Sequence, residues 1–241
     1  MYYESFGNPE NPAIVFLHGA NFVQSFYKQY CLSDRYYLIV PHITGYGKES
    51  ESIYTTEKAK EEITELIKSL NRKVTLIGFS LGAQLAFTLT SDHSELFSGA
   101  IIISPWIIKE RKTLDKIVKM NEKYINLLQK NWYIKISAKL LAISNEMYDD
   151  FAEYTKSAKL ETILNSIDNG IEIKDYPQFA DTDIPVLVLC GKKELSDVRK
   201  SVRHMAELNS KCKCEVWDKA AHNITTKYSE RLNSIIDKFM I

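Results

Sequence analysis

Short apolar runs recur along the chain, each stopped by glycine, proline or a small polar residue. Ala13, Ile14, Val15, Phe16 and Leu17 lead into His18 and Gly19, and Tyr37, Leu38, Ile39 and Val40 stop at Pro41. Val74, Thr75, Leu76 and Ile77 run into Gly78, and Ala100, Ile101, Ile102 and Ile103 end at Ser104 and Pro105. Val186, Leu187, Val188, Leu189 and Cys190 end at Gly191, and Cys214, Glu215, Val216 and Trp217 make the last expected strand. Most of these runs are too uniform for strands with one wet face, so they predict strands covered on both sides, as in a parallel sheet. Between them the apolar spacing turns helical. Ala59, Ile63, Leu66, Ile67 and Leu70 share one stripe of residues 56–70, a similar pattern spans 196–208, and Tyr228, Leu232, Ile235, Ile236 and Phe239 share a stripe of 225–239. Strands alternating with helices predict an α/β domain: a mostly parallel central sheet flanked by helices.

Residues 106–180 break that rhythm. They contain no buried-strand run, yet Ile117, Ile125, Leu128, Trp132, Leu141, Phe151, Leu160 and Ile163 fall at helical spacings. The pattern predicts a helical cap at 106–180 inserted into a core made of 1–105 and 181–241. Positive charge dominates the cap up to Lys139 and negative charge from Leu140 to Asp181. Two readings follow: the halves pair with each other, or both present solvated faces.

Composition narrows the function classes. The 241 residues suffice for one large domain with a full core, and 31 Lys plus Arg balance 31 Asp plus Glu. That balance gives no electrostatic footprint for nucleic acid or an anionic membrane. No apolar stretch approaches a membrane span and the first residues do not resemble a signal peptide, so a soluble cytoplasmic protein is expected. Cys31, Cys190, Cys212 and Cys214 are too scattered for a disulfide framework, and Cys212 and Cys214 lack the spacing of a zinc or redox pair, so both read as strand residues.

The chemistry is carried by Gly78, Phe79, Ser80, Leu81 and Gly82, set between a strand and the helix-forming Ala83, Gln84, Leu85, Ala86 and Phe87. A serine hydroxyl is a weak nucleophile that must be lifted to where a base can reach it. A sharp strand-to-helix turn does this, and its crowding calls for glycine two residues either side of the serine. The helix then aims its free N–H groups at an oxyanion, with the amide of Leu81 as first donor.

Leu17-His18-Gly19, the Gly78 to Gly82 turn, Gly191-Lys192-Lys193-Glu194 and Ala221-His222 together resemble the α/β-hydrolase fold family over nearly the whole chain outside the cap. The resemblance implies a serine, acid and histidine triad in that chain order, an oxyanion hole shared with the His-Gly loop, and a lid after the sixth strand. Ser80 matches the nucleophile and His222, in a loop after the last expected strand, the base. The family usually places Asp three residues after the glycine that ends its seventh strand; Glu194 stands there, with Asp197 as the competitor. The amide of Ala20 joins that of Leu81 by resemblance. Asn21 either adds a side-chain donor or shapes the turn. His18 is expected to shape the oxyanion loop, whereas His42, His93 and His204 read as loop or surface residues. Where the family commonly carries Asp in the loop after the second parallel strand, this chain has His42.

The expected reaction is acyl transfer to Ser80 from a small-molecule ester, with water as final acceptor and neither metal nor organic cofactor called for. The same residues serve carbon–carbon bond hydrolases, lactonases and peptidases, and a ligand-binding member without turnover is a further alternative. Trp106 and Trp132 are the candidate pocket aromatics.

Overall fold

In a computed structural model, residues 1–240 are described. Seven strands form one sheet: β1 (Tyr3–Phe6), β2 (Ala13–Leu17), β3 (Tyr37–Pro41), β4 (Val74–Phe79), β5 (Phe97–Ile103), β6 (Val186–Gly191) and β7 (Cys212–Trp217). Their spatial order is β1-β3-β2-β4-β5-β6-β7; β1 runs antiparallel to β3 and every other neighbouring pair is parallel. Strand β1 was not expected from the sequence. It is an edge strand of four half-wet residues, with no apolar run to reveal it. Strand β7 is the opposite edge and begins at Cys212; Lys213 and Cys214 after it are both exposed, so no apolar run marks its start.

Alternating residues of the buried strands face opposite ways. Val15, Leu17, Leu76, Ile102 and Val188 meet α1 (Thr56–Ser69), α2 (Leu81–Asp92) and α7 (Ser196–Leu208) on one side. Ile14, Phe16, Ile77, Ile101, Ile103 and Leu189 meet Phe26, Leu32, Leu232 and Ile236 on the other. Both faces are therefore dry, which is why these strands read as continuous apolar runs. The Thr55 side chain accepts the amide of Lys58 and caps α1. The helix expected over 225–239 is split into α8 (Ile224–Lys227) and α9 (Ser229–Phe239). Tyr228 sits at the break, its ring 5.9 Å from that of Trp217 in an edge-on contact.

The helical stretch lies between β5 and β6 as α3 (Arg111–Tyr124), α4 (Asn131–Leu140), α5 (Tyr148–Lys156) and α6 (Leu160–Ile167). It thus follows β5, the strand before the one that Gly191 ends; the resemblance counts the latter as its seventh strand, so this is where it puts the lid. Phe22, in the loop after β2, packs with Ile134, Ala138 and Phe151 from α4 and α5. The Tyr46 hydroxyl, after β3, donates to Ser166 Oγ at 2.8 Å. The helices therefore rest on loops at the C-terminal ends of the strands, where α/β sheets bind ligands. Ile171, Ile173 and Phe179 already belong to the main core. Among the described residues no ion pair joins the positive half of this stretch to the negative half. Among the described residues no helix is long and apolar enough to cross a membrane.

Candidate active site

Ser80 stands between β4 and α2 with φ +56° and ψ −112°, a conformation costly for any residue with a side chain. The surroundings hold it there. The Ser80 amide donates to the carbonyl of Ile103 on β5 (2.9 Å), and its carbonyl accepts from the amides of Ala83 and Gln84, both at 3.1 Å. A Cβ on Gly78 would stand 2.2 Å from the carbonyl oxygen of Gly82, and one on Gly82 would stand 2.0 Å from that of Leu17. Both glycines are thus required by close backbone approach, at the spacing the turn demands.

Strand β6 and the loop after β7 bring the other two side chains in. His222 Nε2 lies 3.0 Å from Ser80 Oγ, and His222 Nδ1 lies 2.7 Å from Glu194 Oε2. The imidazole is half exposed, whereas the Glu194 side chain is only 2% exposed. The second carboxylate oxygen, Oε1, accepts from the Ser104 hydroxyl at 2.6 Å and from the Gly191 amide at 2.8 Å. Burial acts to raise this carboxyl, but the His222 hydrogen bond and charge, with the bonds from Ser104 and Gly191, outweigh it and hold the group below the usual carboxylate range. Glu194 is accordingly an anion aimed at the imidazole edge remote from Ser80. Arg199 donates to the carbonyls of Glu194 and Lys192 and fixes the loop. The Phe79 ring lies against the imidazole, centroids 4.7 Å apart.

Asp197 is not part of this chain. It is fully buried and accepts from the Glu110 amide at 3.0 Å, from Trp106 Nε1 at 3.4 Å and from the Ser196 hydroxyl at 3.3 Å. Apart from Ser196 these partners belong to the segment between β5 and α3, so Asp197 anchors that segment.

His18 is buried. Its Nε2 accepts the Ile43 amide at 3.0 Å, so Nδ1 carries the proton and faces the carbonyl of Gly19, 2.9 Å away. Burial lowers its pKa to about 3, keeping it neutral. Ala20 follows in the same loop, and among the described residues neither its amide nor that of Leu81 has a protein acceptor. Asn21 adopts φ +54°, a left-handed conformation that Asn tolerates better than most residues, and its Oδ1 is buried without a partner. His42 is in a loop, as expected, but is wholly buried and not at the surface: its Nδ1 accepts the Lys48 amide at 2.9 Å, and burial lowers its pKa to about 4.

Two chambers open beside Ser80, with Ala20, Asn21, Asn121, Ile163 and His222 common to both walls. One, of about 330 Å³, is closed by Phe22, Tyr124, Leu128, Tyr133 and Phe151. The other, of about 560 Å³, lies among Leu81, Gln84, Trp106, Ile117, Ile167 and Val198. Trp106 is therefore a wall residue. Trp132 is not: the residue is 58% exposed and its ring meets Tyr133 edge-on, because α4 turns the neighbouring Tyr133 inward instead. Sequence reasoning passed over Ser104, whose φ of +59° is hidden in a strand-ending Ser-Pro pair, and Gln84, which is one turn after Ser80 on α2.

A family described as the alpha/beta hydrolase fold matches residues 12–225. Among curated relatives, an uncharacterised hydrolase, YugF, of Bacillus subtilis (strain 168) is 27% identical over 143 residues, 56% of this chain and 52% of the relative. The match thus spans about half the length of that relative. Among solved structures, a carboxylesterase of the thaumarchaeon Nitrososphaera gargenis superposes with TM-score 0.78 at 16% identity, covering 99% of this chain and 93% of the other. The enol-lactonase of Burkholderia xenovorans LB400 gives 0.78 at 17% identity, covering 99% and 95%. At such identities the likeness is one of fold.

Proposed function

The chain belongs to the alpha/beta hydrolase fold family, and from that premise we propose that it is a serine hydrolase acting on small carboxylic esters through an acyl-enzyme. The observation that carries this reading is the unbroken line Ser80 Oγ, His222 Nε2, His222 Nδ1, Glu194 Oε2, with its 3.0 and 2.7 Å links. The base is within reach of the proton it must take, and a buried anion fixes the opposite edge of its ring.

In the proposed reaction His222 removes the Ser80 proton as Oγ attacks the ester carbonyl. The amides of Leu81 and Ala20 receive the oxyanion; both are backbone donors, the first at the start of α2 where the helix dipole adds to the effect. The protonated imidazole, stabilised by Glu194, then gives its proton to the departing alkoxide. A water molecule, deprotonated by the same ring, releases the acid and restores Ser80. Neither chamber exceeds the volume usual for a small-molecule site, which favours compact acyl and alcohol groups over long lipids. Residues 106–180 act as a lid whose α3 to α6 close both chambers.

The test is covalent labelling by a fluorophosphonate together with p-nitrophenyl ester hydrolysis from C2 to C12. Labelling that depends on Ser80 and His222, with rates falling beyond about C8, is expected. A chain that Ser80→Ala leaves equally labelled and equally active is not a serine hydrolase of this kind.

A further inference from the structure

Gln84 lies one turn after Ser80 on α2 and lines the larger chamber, 5% exposed. Its orientation follows from a line of hydrogen bonds that begins at a cation. Lys109 Nζ donates to Asn169 Oδ1, and the Ile171 amide donates to the same oxygen at 3.1 Å. An ammonium and a backbone N–H can only donate, so that atom of Asn169 has to be the oxygen. Asn169 Nδ2 is then the donor to Gln84, at 2.9 Å, and its acceptor has to be Gln84 Oε1. The Gln84 NH2 group is left on the chamber side, where among the described residues it has no protein partner and is not sealed from solvent.

Of the other side chains on that wall, Asn21, beside the oxyanion loop, also carries an amide nitrogen without a protein partner among the described residues; the rest compete little. Ile117, Ile163, Ile167, Val198 and Leu81 are apolar. Ser166 already spends its hydroxyl proton on the carbonyl of Ile163, and Asn121 Nδ2 spends one of its two N–H groups on that of Ile117. The Trp106 N–H is turned towards Asp197. Lys193 is on the wall as well, but its side chain is exposed at the mouth. Lys109 itself is largely buried, with Nζ also bound to the carbonyl of Ile167 at 3.1 Å. Burial lowers its pKa to about 8, against the raising effect of Asp168 and Glu172, so near neutrality most of it remains charged and polarises the line of amides.

We propose that Gln84 is a specificity-determining donor for an oxygen acceptor on the substrate other than the scissile carbonyl, so that the preferred substrates are esters carrying a second such acceptor, a ketone among them, with Asn169 and Lys109 as positioning residues that set the direction of its amide. This deepens the hydrolase reading above and rests on it. A site built to donate a hydrogen bond discriminates against the analogue that lacks the acceptor, because the buried donor is then left unpaired.

The experiment compares kcat/KM for matched pairs that differ only in a ketone: p-nitrophenyl pentanoate with p-nitrophenyl 4-oxopentanoate, and pentyl acetate with 4-oxopentyl acetate. Each ratio is corrected for the pair's uncatalysed hydrolysis. The wild type is expected to prefer the ketone about 10-fold in one of the two pairs, the worth of one hydrogen bond. Gln84→Leu should remove the preference. Asn169→Asp should also remove it although Gln84 is intact, since a carboxylate makes Gln84 turn its NH2 inward and present its oxygen. Fluorophosphonate labelling of the wild type is read in parallel. Absence of labelling refutes the hydrolase reading, and this inference with it. Labelling without ketone preference in either pair, or a preference that survives in Gln84→Leu or Asn169→Asp, overturns the role given to Gln84 alone.

Discussion

Ser104 donates its hydroxyl to Glu194 Oε1 at 2.6 Å, so the residue that closes β5 holds the carboxylate that orients the imidazole of His222. Hydrogen bonds to charged groups contribute about 1.5–3 kcal/mol. Ser104→Ala is expected to lower kcat about 10-fold with little change in KM. Because Ser104 has φ +59°, Ser104→Gly should be equally slow but more stable. Steady-state kinetics and thermal melts of the pair separate the hydroxyl from the backbone, and full activity in either variant would contradict the role given to it.

Glu194 itself predicts a pH signature. Its carboxyl is held below the ordinary carboxylate range, so the folded protein keeps the anion where the unfolded chain has begun to bind a proton. The stabilisation is complete above the unfolded value of about 4.3 and is lost as pH falls through the lower folded value. Glu194→Gln should lower kcat about 10⁴-fold, by analogy with the amide substitution of another triad acid. The stability gap between it and the wild type should narrow from pH 6 towards pH 3. Urea titrations at several pH values measure that gap, and a gap that widens on acidification refutes the assignment.

The backbone at Ser80 predicts a trade between stability and reactivity. Its φ of +56° is one that glycine adopts freely. Ser80→Gly is expected to abolish fluorophosphonate labelling and to raise stability by about 1 kcal/mol, seen as a higher melting temperature. A variant less stable than the wild type would mean that the hydroxyl contacts outweigh the strain.

Two buried imidazoles make the fold sensitive to acid. The pKa values of His18 and His42 fall from 6.5 to about 3 and about 4, chiefly through burial. Between those values and 6.5 the unfolded chain binds protons that the folded chain does not, so stability rises with pH in this window and falls on acidification. Each histidine contributes a slope of up to about 1.4 kcal/mol per pH unit. His42→Gln should flatten the dependence between pH 6 and pH 4, as read from denaturant midpoints. An unchanged slope would show that His42 is charged in the native state.

Tyr133, not Trp132, faces the smaller chamber. Tyr133→Ala is expected to change KM for the preferred ester by 5-fold or more. Trp132→Ala should alter it less than 2-fold, and the reverse ranking would place α4 in a different rotation.

The parts of this molecule that the sequence makes legible are those written in local periodicity. Val15 and Leu17 alternate with Ile14 and Phe16 on a strand covered on both faces, so the apolar run announces the strand directly. The Gly78 to Gly82 turn is legible because two glycines and a serine are adjacent in the chain. Glu194 and His222 had to be found by position after strands, since the 2.7 Å contact between them spans 28 residues. Strand β1 escaped because an edge needs backbone partners and no apolar face. The sequence separations of 90 residues between Ser104 and Glu194 and of 85 between Gln84 and Asn169 leave no local trace of those contacts.

Strands β5 and β6 are neighbours in the sheet, and all four helices of the insertion leave from one and return to the other. Both ends of that piece are thus tied to adjoining points on a rigid frame. Exchange of a single uninterrupted gene segment would renew about half of the residues lining the two chambers, while the turn at Ser80 and the loops bearing Glu194 and His222 pass unaltered to the descendant. Such an architecture would let selectivity diverge while the proposed triad is inherited unchanged.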